Sequence, residues 1–199
     1  MNINKHWKFF LQTGKEQHFS AIYAHYVDIL YAYGIQSGFQ EEMCKDAIQD
    51  VFVKLYTSRK NLYHIENPTG YLIRTYRYRL IDLIRKDNRT DLMEKSENSF
   101  AAKTTVLDNI VTDETALKLK SKVDKLLEDL TDQQREVVYM RYMLELSYKE
   151  IAGILRIQPD SARKIIYRAI QKLRKENPNT LLVSTILLYI KGLHLIPFS

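Results

Sequence analysis

The stretch from Ser147 to Glu176 constrains this chain more than any other. Ser147-Tyr148-Lys149-Glu150 has the form of a capping box, in which Ser147 satisfies an early amide and Glu150 reaches back to the cap. The spacing predicts a short helix over 148–155 that buries Ile151 and Leu155. Arg156-Ile157-Gln158 then reads as a tight turn, and Pro159 suits the first turn of a following helix. That helix runs to about Glu176 and turns Ala162, Ile165, Ile166, Ala169, Ile170 and Leu173 inward. Ala152 is small where the two helices would cross, and Ile157 can plug the turn into the core. A short helix, a tight turn and a long helix make a helix-turn-helix.

The charge pattern says what such a motif would meet. The net charge is +6 and is concentrated in two places. Residues 71–89 hold Arg74, Arg77, Arg79, Arg85, Lys86 and Arg89 against Asp82 and Asp87. Residues 156–176 hold Arg156, Arg163, Lys164, Arg168, Lys172, Arg174 and Lys175 against Asp160 and Glu176. Two basic elements on an otherwise slightly acidic chain favour a polyanion touched at two places. In the last helix, Ser161, Lys164, Arg168 and Lys172 form one row opposite the apolar stripe, flanked by Arg163, Tyr167, Gln171 and Arg174. A helix fits the major groove with its N-terminal residues nearest the base edges. Asp160, Ser161, Arg163, Lys164 and Tyr167 are therefore candidates for base or adjacent phosphate contact. Arg168, Lys172, Arg174 and Lys175 are candidates for phosphate contact, which positions a protein without choosing sequence. A basic face alone is often only a solvated one; its coincidence with the capping box, the small crossing residue and the turn points to DNA.

Upstream, periodicity places helices at 17–33 (Phe19, Ile22, Tyr23, Tyr26, Val27, Leu30, Tyr31), with Gly34 and Gly38 punctuating the end, and at 41–57 (Cys44, Ala47, Ile48, Val51, Phe52, Leu55). Residues 58–66 read as a loop. Asn67-Pro68 is a cap followed by proline at the first helical position, and the helix from there to about Lys86 buries Leu72, Ile73, Tyr76, Leu80, Leu83 and Ile84. From Asp87 to about Leu117 the pattern weakens over a length that compact domains do not use as a plain connection. A helix around 116–129 and another starting at the Thr131 cap precede the helix-turn-helix. The expectation is an all-α chain of two small helical domains, 1–88 and 116–176, joined by a linker over 89–115 and followed by an apolar tail over 177–199.

These residues resemble a known family. Leu130-Thr131-Asp132-Gln133-Gln134-Arg135-Glu136, then Arg141-Tyr142, Leu146 to Ala152, and Ile157, Ser161, Arg168 and Leu173-Arg174 are similar to the fourth conserved region of bacterial sigma factors, a helix-turn-helix of winged-helix-like type. Phe19 to Gly34, Asp46 with Gln49 to Leu55, and Tyr71-Leu72, Arg77, Asp82 and Arg85-Lys86 resemble the second region. Two regions and nothing recognisable of the others match the compact extracytoplasmic-function architecture, over about residues 17–88 and 116–176.

The resemblance implies a protein that binds core RNA polymerase and directs promoter recognition, DNA melting and transcription initiation. Contact with the beta-prime coiled coil would fall on Asp46, Gln49, Asp50, Phe52 and Lys54, with Phe52 equally readable as core. The −10 element, as single-stranded DNA, would meet Arg74, Arg77, Tyr78 and Arg85, since rings and guanidinium groups clamp unpaired bases. Asn61, Tyr63 and His64 match the pocket for an extruded base. The second domain would read the −35 duplex and sit on the beta flap, and an anti-sigma factor is a further implied class of partner. Tyr78 stands where the family has asparagine, Arg156 where it has a turn glycine, Ala162 where valine is typical and Tyr71 where tryptophan is common.

Other classes find little support. The histidines His6, His18, His25, His64 and His194 show no metal-ligand spacing with one another or with Cys44, the single cysteine, which rules out an internal disulfide. No phosphate-cradling glycine loop or catalytic constellation appears, so the expectation is a binder with no enzyme activity, cofactor or metal. The N-terminus lacks the features of a secretory signal, which points to the cytoplasm. The tail over 181–196, LLVSTILLYIKGLHLI, falls short of the roughly 20 residues that span a bilayer, so membrane insertion is not expected. It reads as a packed helix, or as a regulatory strip that masks a surface or docks an inhibitor. The alternative is a stand-alone helix-turn-helix regulator that binds operator DNA, with dimerisation through that tail as one form of it.

Overall fold

The computed structural model describes residues 2–86 and 127–176. The chain divides into two compact units, Met1–Glu97 and Asn98–Ser199, each taken by itself. No strand occurs among the described residues, and no described helix is long and apolar enough to cross a membrane. The expected linker over 89–115, most of the expected helix over 116–129 and the apolar tail lie outside the described residues.

The described part of the first unit contains α1 (Ile3–Thr13), α2 (Glu16–Gln36), α3 (Glu41–Ser58) and α4 (Pro68–Lys86), with a short 3-10 turn, Arg59–Asn61, after α3. Helix α2 packs against the other three. The sequence reading begins its first helix at 17, so α1 is an addition. Asn2 caps it by accepting from the Asn4 amide at 3.0 Å, and Trp7, Phe10 and Leu11 form its buried stripe. Asn67 caps α4 as expected, its Oδ1 accepting from the amides of Thr69 at 3.1 Å and Gly70 at 3.4 Å. Within α4, Ile81 is buried and Leu83 only half-buried, so the inward face is rotated slightly from the expected one.

Gly34 does not end α2. The helix continues to Gln36, and the turn falls at Gly38, whose φ is 82°. Gly34 is instead the point where α2 is crossed closely. A Cβ there would lie 2.3 Å from Tyr76 Oη and 2.7 Å from Cys44 Sγ. Glycine therefore supplies room, not conformational freedom, and lets α3 and α4 approach α2 together. Burial pushes the thiol of Cys44 and the hydroxyl of Tyr76 above their ordinary pKa ranges, so both stay neutral in the core.

The second unit contains α5 (Asp132–Tyr142), α6 (Tyr148–Leu155) and α7 (Pro159–Glu176). Capping boxes open both α5 (Thr131 with Gln134) and α6 (Ser147 with Glu150). Arg135 turns back and donates to the carbonyls of Leu130 at 2.7 Å and Leu127 at 3.2 Å, closing the chain end that precedes α5. Arg141 donates to the Leu146 carbonyl at 2.8 Å and holds the connection into α6. Helix α7 packs on α5 and α6 through Ala162, Ile166, Ala169, Ile170 and Leu173. Ile165 and Ile157 are only half-buried, and in α6 the buried position is Ile154 where Leu155 was expected.

The turn between α6 and α7 carries local strain. Arg156 closes α6 at φ 56° and ψ 41°, a left-handed conformation, while the amide of Ile157 donates to the Ala152 carbonyl at 3.0 Å. A side chain in that region costs about 1–2 kcal/mol. Arg156→Gly relieves it, partly offset by a more flexible unfolded chain. We expect a net gain of about 0.5 kcal/mol, seen as a thermal midpoint a few degrees higher for the second unit. An unchanged or lowered midpoint would show that the Arg156 side chain makes contacts worth more than the strain.

Candidate nucleic-acid interface

Helix α7 is the best-formed candidate interface. Its N-terminal half is open: Asp160, Ser161, Arg163, Lys164 and Arg168 are exposed, and Tyr167 is 64% exposed. An aromatic ring that open on an amphipathic helix does no core work, and beside Lys164 and Arg168 it makes a surface suited to groove walls and base edges. Arg174 and Lys175 continue the cationic surface at the far end.

Lys172 departs from the expected row. Its Nζ donates to the Asp129 carbonyl, so it secures the chain ahead of α5 and stands at the edge of the open face. The row expected from sequence, Ser161-Lys164-Arg168-Lys172, is thus an open face led by Lys164, Tyr167 and Arg168 with Lys172 turned to structural use.

One feature of this surface escapes sequence reading. Tyr148, at the start of α6, lies between two guanidinium groups, Arg141 at 5.0 Å and Arg163 at 5.4 Å from its ring centroid. Cation–π contacts of this kind orient both arginines. They tie the N-terminal part of α7 to the N-terminus of α6, where Lys149 is also exposed. The three partners come from three separate elements, so no spacing rule links them. The capping box at Ser147 marks the helix start but not the stack built on it.

In the first unit the candidate residues divide between two surfaces. On α4, Arg74 and Arg85 are exposed, while Arg77 and Tyr78 are half-buried. The Arg74 guanidinium sits 5.6 Å from the Tyr78 ring centroid, a ready-made cation–aromatic pair. After α3, Asn61, Tyr63 and His64 are all exposed. Tyr63 is 58% exposed yet anchored, its hydroxyl donating to the Leu11 carbonyl of α1 at 3.0 Å. The loop-anchor reading and an open ring face are therefore both present in one residue.

On α3, Asp46, Gln49, Asp50 and Lys54 are exposed on one side. Phe52 is not part of that surface. It is 3% exposed, with its ring 4.7 Å from Tyr23 and edge-on to Phe19. It belongs to the core, and the helical period explains why: Ile48, Val51, Phe52 and Leu55 share the inward stripe. Asp50 carries an ion pair to Arg79 of α4 at 2.5 Å, so the surface of α3 is electrostatically joined to the basic helix. No group of three or more His, Cys, Asp or Glu able to hold a metal occurs among the described residues.

Comparison with known proteins gives this arrangement its place. The family model of sigma-70 region 2 matches residues 22–90, and that of sigma-70 region 4 matches residues 120–173. The chain is 23% identical over 154 residues to the ECF RNA polymerase sigma factor SigM of Bacillus subtilis (strain 168), covering 77% of this chain and 91% of that protein. It is 27% identical over 154 residues to the RNA polymerase sigma factor YlaC of the same organism, covering 77% and 88%. A third relative there, the ECF sigma factor SigW, is 25% identical over 173 residues, covering 83% and 92%. Among solved structures, CnrH in complex with the cytosolic domain of CnrY is similar in fold, with a TM-score of 0.52, 18% identity and coverage of 90% of this chain and 99% of that one. With both regions present in that order on an all-α fold, the chain belongs to the extracytoplasmic-function group of RNA polymerase sigma factors, non-catalytic proteins that bind the polymerase and direct it to promoters.

Proposed function

We propose that the two units divide promoter recognition as follows. Helix α7 lies in the major groove of the −35 duplex, with Asp160, Ser161, Arg163, Lys164 and Tyr167 toward the base edges and Arg168 and Arg174 on phosphates. Helix α4 and the loop after α3 hold the −10 element as a single strand, with Arg74 and Tyr78 as one stacking pair and Tyr63 as the platform for an extruded base. The open Lys164–Tyr167–Arg168 face of a capped helix-turn-helix carries this reading. Among the described residues of the second unit, no packing contact requires those side chains.

The polymerase-facing surface is assigned to Asp46, Gln49 and Lys54, with Asp50 held by Arg79. The acceptors Asp46 and Gln49 and the cation Lys54 lie on one side of α3 within about two helical turns, a polar strip of the kind that docks on a coiled coil by complementarity. The cytoplasm is the compartment where such a partner works. CnrH is solved with the cytosolic domain of CnrY, and we infer a protein partner of the same kind for this chain, an anti-sigma factor.

The test is binding to sigma-free core RNA polymerase. The Asp46→Ala, Gln49→Ala and Lys54→Ala triple variant is expected to bind at least about tenfold more weakly than the parent, a loss of roughly 1.4 kcal/mol or more. Lys164→Ala with Arg168→Ala should leave that affinity within about twofold, as a control on the same chain. Equal affinity of parent and triple variant would remove this face from the polymerase contact. No binding by the parent would favour a regulator that acts on DNA alone.

A further inference from the structure

The packing of α1 on α2 brings the rings of His6 and His18 together edge-on, and the proposed promoter contacts use neither. Their Nδ1 atoms are 3.2 Å apart and share a hydrogen bond, with ring centroids 5.2 Å apart and planes inclined at 68°, so an ion held by both Nδ1 atoms takes the place of that shared proton, which moves to the ring's Nε2 or to water. His18 is 9% exposed, and the Phe9 ring stacks on it at 5.3 Å. His6 is half-exposed, and the contact between the two nitrogens is only partly buried. The two residues are twelve apart, on different helices, which is why no ligand spacing is visible in the sequence.

Two imidazole nitrogens at this distance suit a shared ion. Zinc takes histidine nitrogen at about 2.0–2.1 Å, which puts two ligands on a tetrahedral ion about 3.3 Å apart. A side-chain amide that can support the ligand lies beside it: Gln17 Nε2 is 3.4 Å from His18 Nε2. An ion at His18 Nδ1 requires that amide to turn its oxygen to Nε2, where it accepts the ring proton and leaves the lone pair on Nδ1. Phe9 walls one side and fixes the His18 ring.

We propose that His6 and His18 form a two-histidine site for a divalent transition ion of the imidazole-preferring class, with water completing the coordination. The ion bridges α1 and α2. With only two protein ligands it is exchangeable, unlike the four-ligand sites that hold structural zinc permanently. It braces the helix whose Leu11 carbonyl receives the Tyr63 hydroxyl. Ion occupancy therefore stiffens the element on which the loop after α3 is anchored.

The experiment titrates zinc chloride into the full chain and into His6→Ala, His18→Gln and His25→Ala variants, reading affinity by calorimetry and the thermal midpoint. Parent and His25→Ala are expected to bind one equivalent with equal affinity and to melt at higher temperature with zinc. His6→Ala and His18→Gln should bind at least tenfold more weakly and gain no thermal protection. His6 is on the open side, so its variant keeps the fold, checked by circular dichroism. In the parent, nitrogen-15 imidazole spectra should show the Nδ1 signals of His6 and His18 shifting together as zinc is added. Affinity unchanged in both variants, or shifts confined to other histidines, would overturn the proposal.

Discussion

Lys164→Ala combined with Arg168→Ala is expected to lower affinity for a selected −35 duplex by about two to three orders of magnitude. A good side-chain contact to a base edge discriminates by about 1–3 kcal/mol, and a lost phosphate contact adds to this, with each 1.4 kcal/mol worth tenfold. The two residues separate by their salt response. A phosphate contact releases condensed counterions, so its loss flattens the plot of log affinity against log salt by about one unit. Arg168→Ala should flatten it and weaken all duplexes alike. Lys164→Ala should relax preference at particular positions. Tyr167→Ala adds a clean third arm, because a ring 64% exposed leaves no core cavity when removed. If the double variant binds duplex as the parent does, α7 is not the recognition helix.

The second large effect is on stability. Gly34→Ala would ordinarily help a helix, by about 1 kcal/mol. Here the new methyl would meet Tyr76 Oη at 2.3 Å and Cys44 Sγ at 2.7 Å, with the Tyr76 ring carbon beyond at 3.2 Å. Neither neighbour can swing away, since Tyr76 and Cys44 are fully buried. Overpacking of this kind costs about 1–3 kcal/mol, so the propensity gain is overturned. We expect the first unit to lose about 2 kcal/mol, a fall of about 10 °C in its midpoint. Tyr76→Phe removes the closest atom and should recover about half of the loss in the double variant. The hydroxyl it deletes has no nitrogen or oxygen partner and only the Cys44 thiol beside it, so Tyr76→Phe alone should cost less than about 1 kcal/mol. A neutral or stabilising Gly34→Ala would mean that α2 does not approach α4 as closely as the structure has it.

The Gly34 case shows why some features were legible and others not. In isolation a glycine near the end of an apolar stripe reads as punctuation, because local rules know only backbone freedom. Its real role is defined by Tyr76 and Cys44, which are distant in sequence and meet it only when three helices pack. Helix α2 has apolar and aromatic residues on most of its circumference, so periodicity alone could not say that Tyr33 faces inward and Tyr23 outward. Phe52 was ambiguous for the same reason: its type suits a contact surface, and only the rings of Tyr23 and Phe19 place it in the core.

What the sequence determined by itself was the set of features that close within a few residues. The Ser147–Glu150 capping box, the Thr131 cap, the Asn67-Pro68 start of α4, the amphipathic stripe of α7 and the short turn at Arg156 are governed by neighbours three or four positions away, so they are written in the chain directly. The order of the two family regions is equally a property of the linear chain. Tertiary structure decided whatever needs partners from separate elements: the close crossing at Gly34, the Arg141–Tyr148–Arg163 stack, the Asp50–Arg79 pair, the turning of Lys172 to Asp129, and the meeting of His6 with His18. The physical reason is that hydrogen-bonded caps and helical faces are set by short-range geometry, whereas close approaches, ring stacks and ligand pairs exist only once packing has fixed which faces meet.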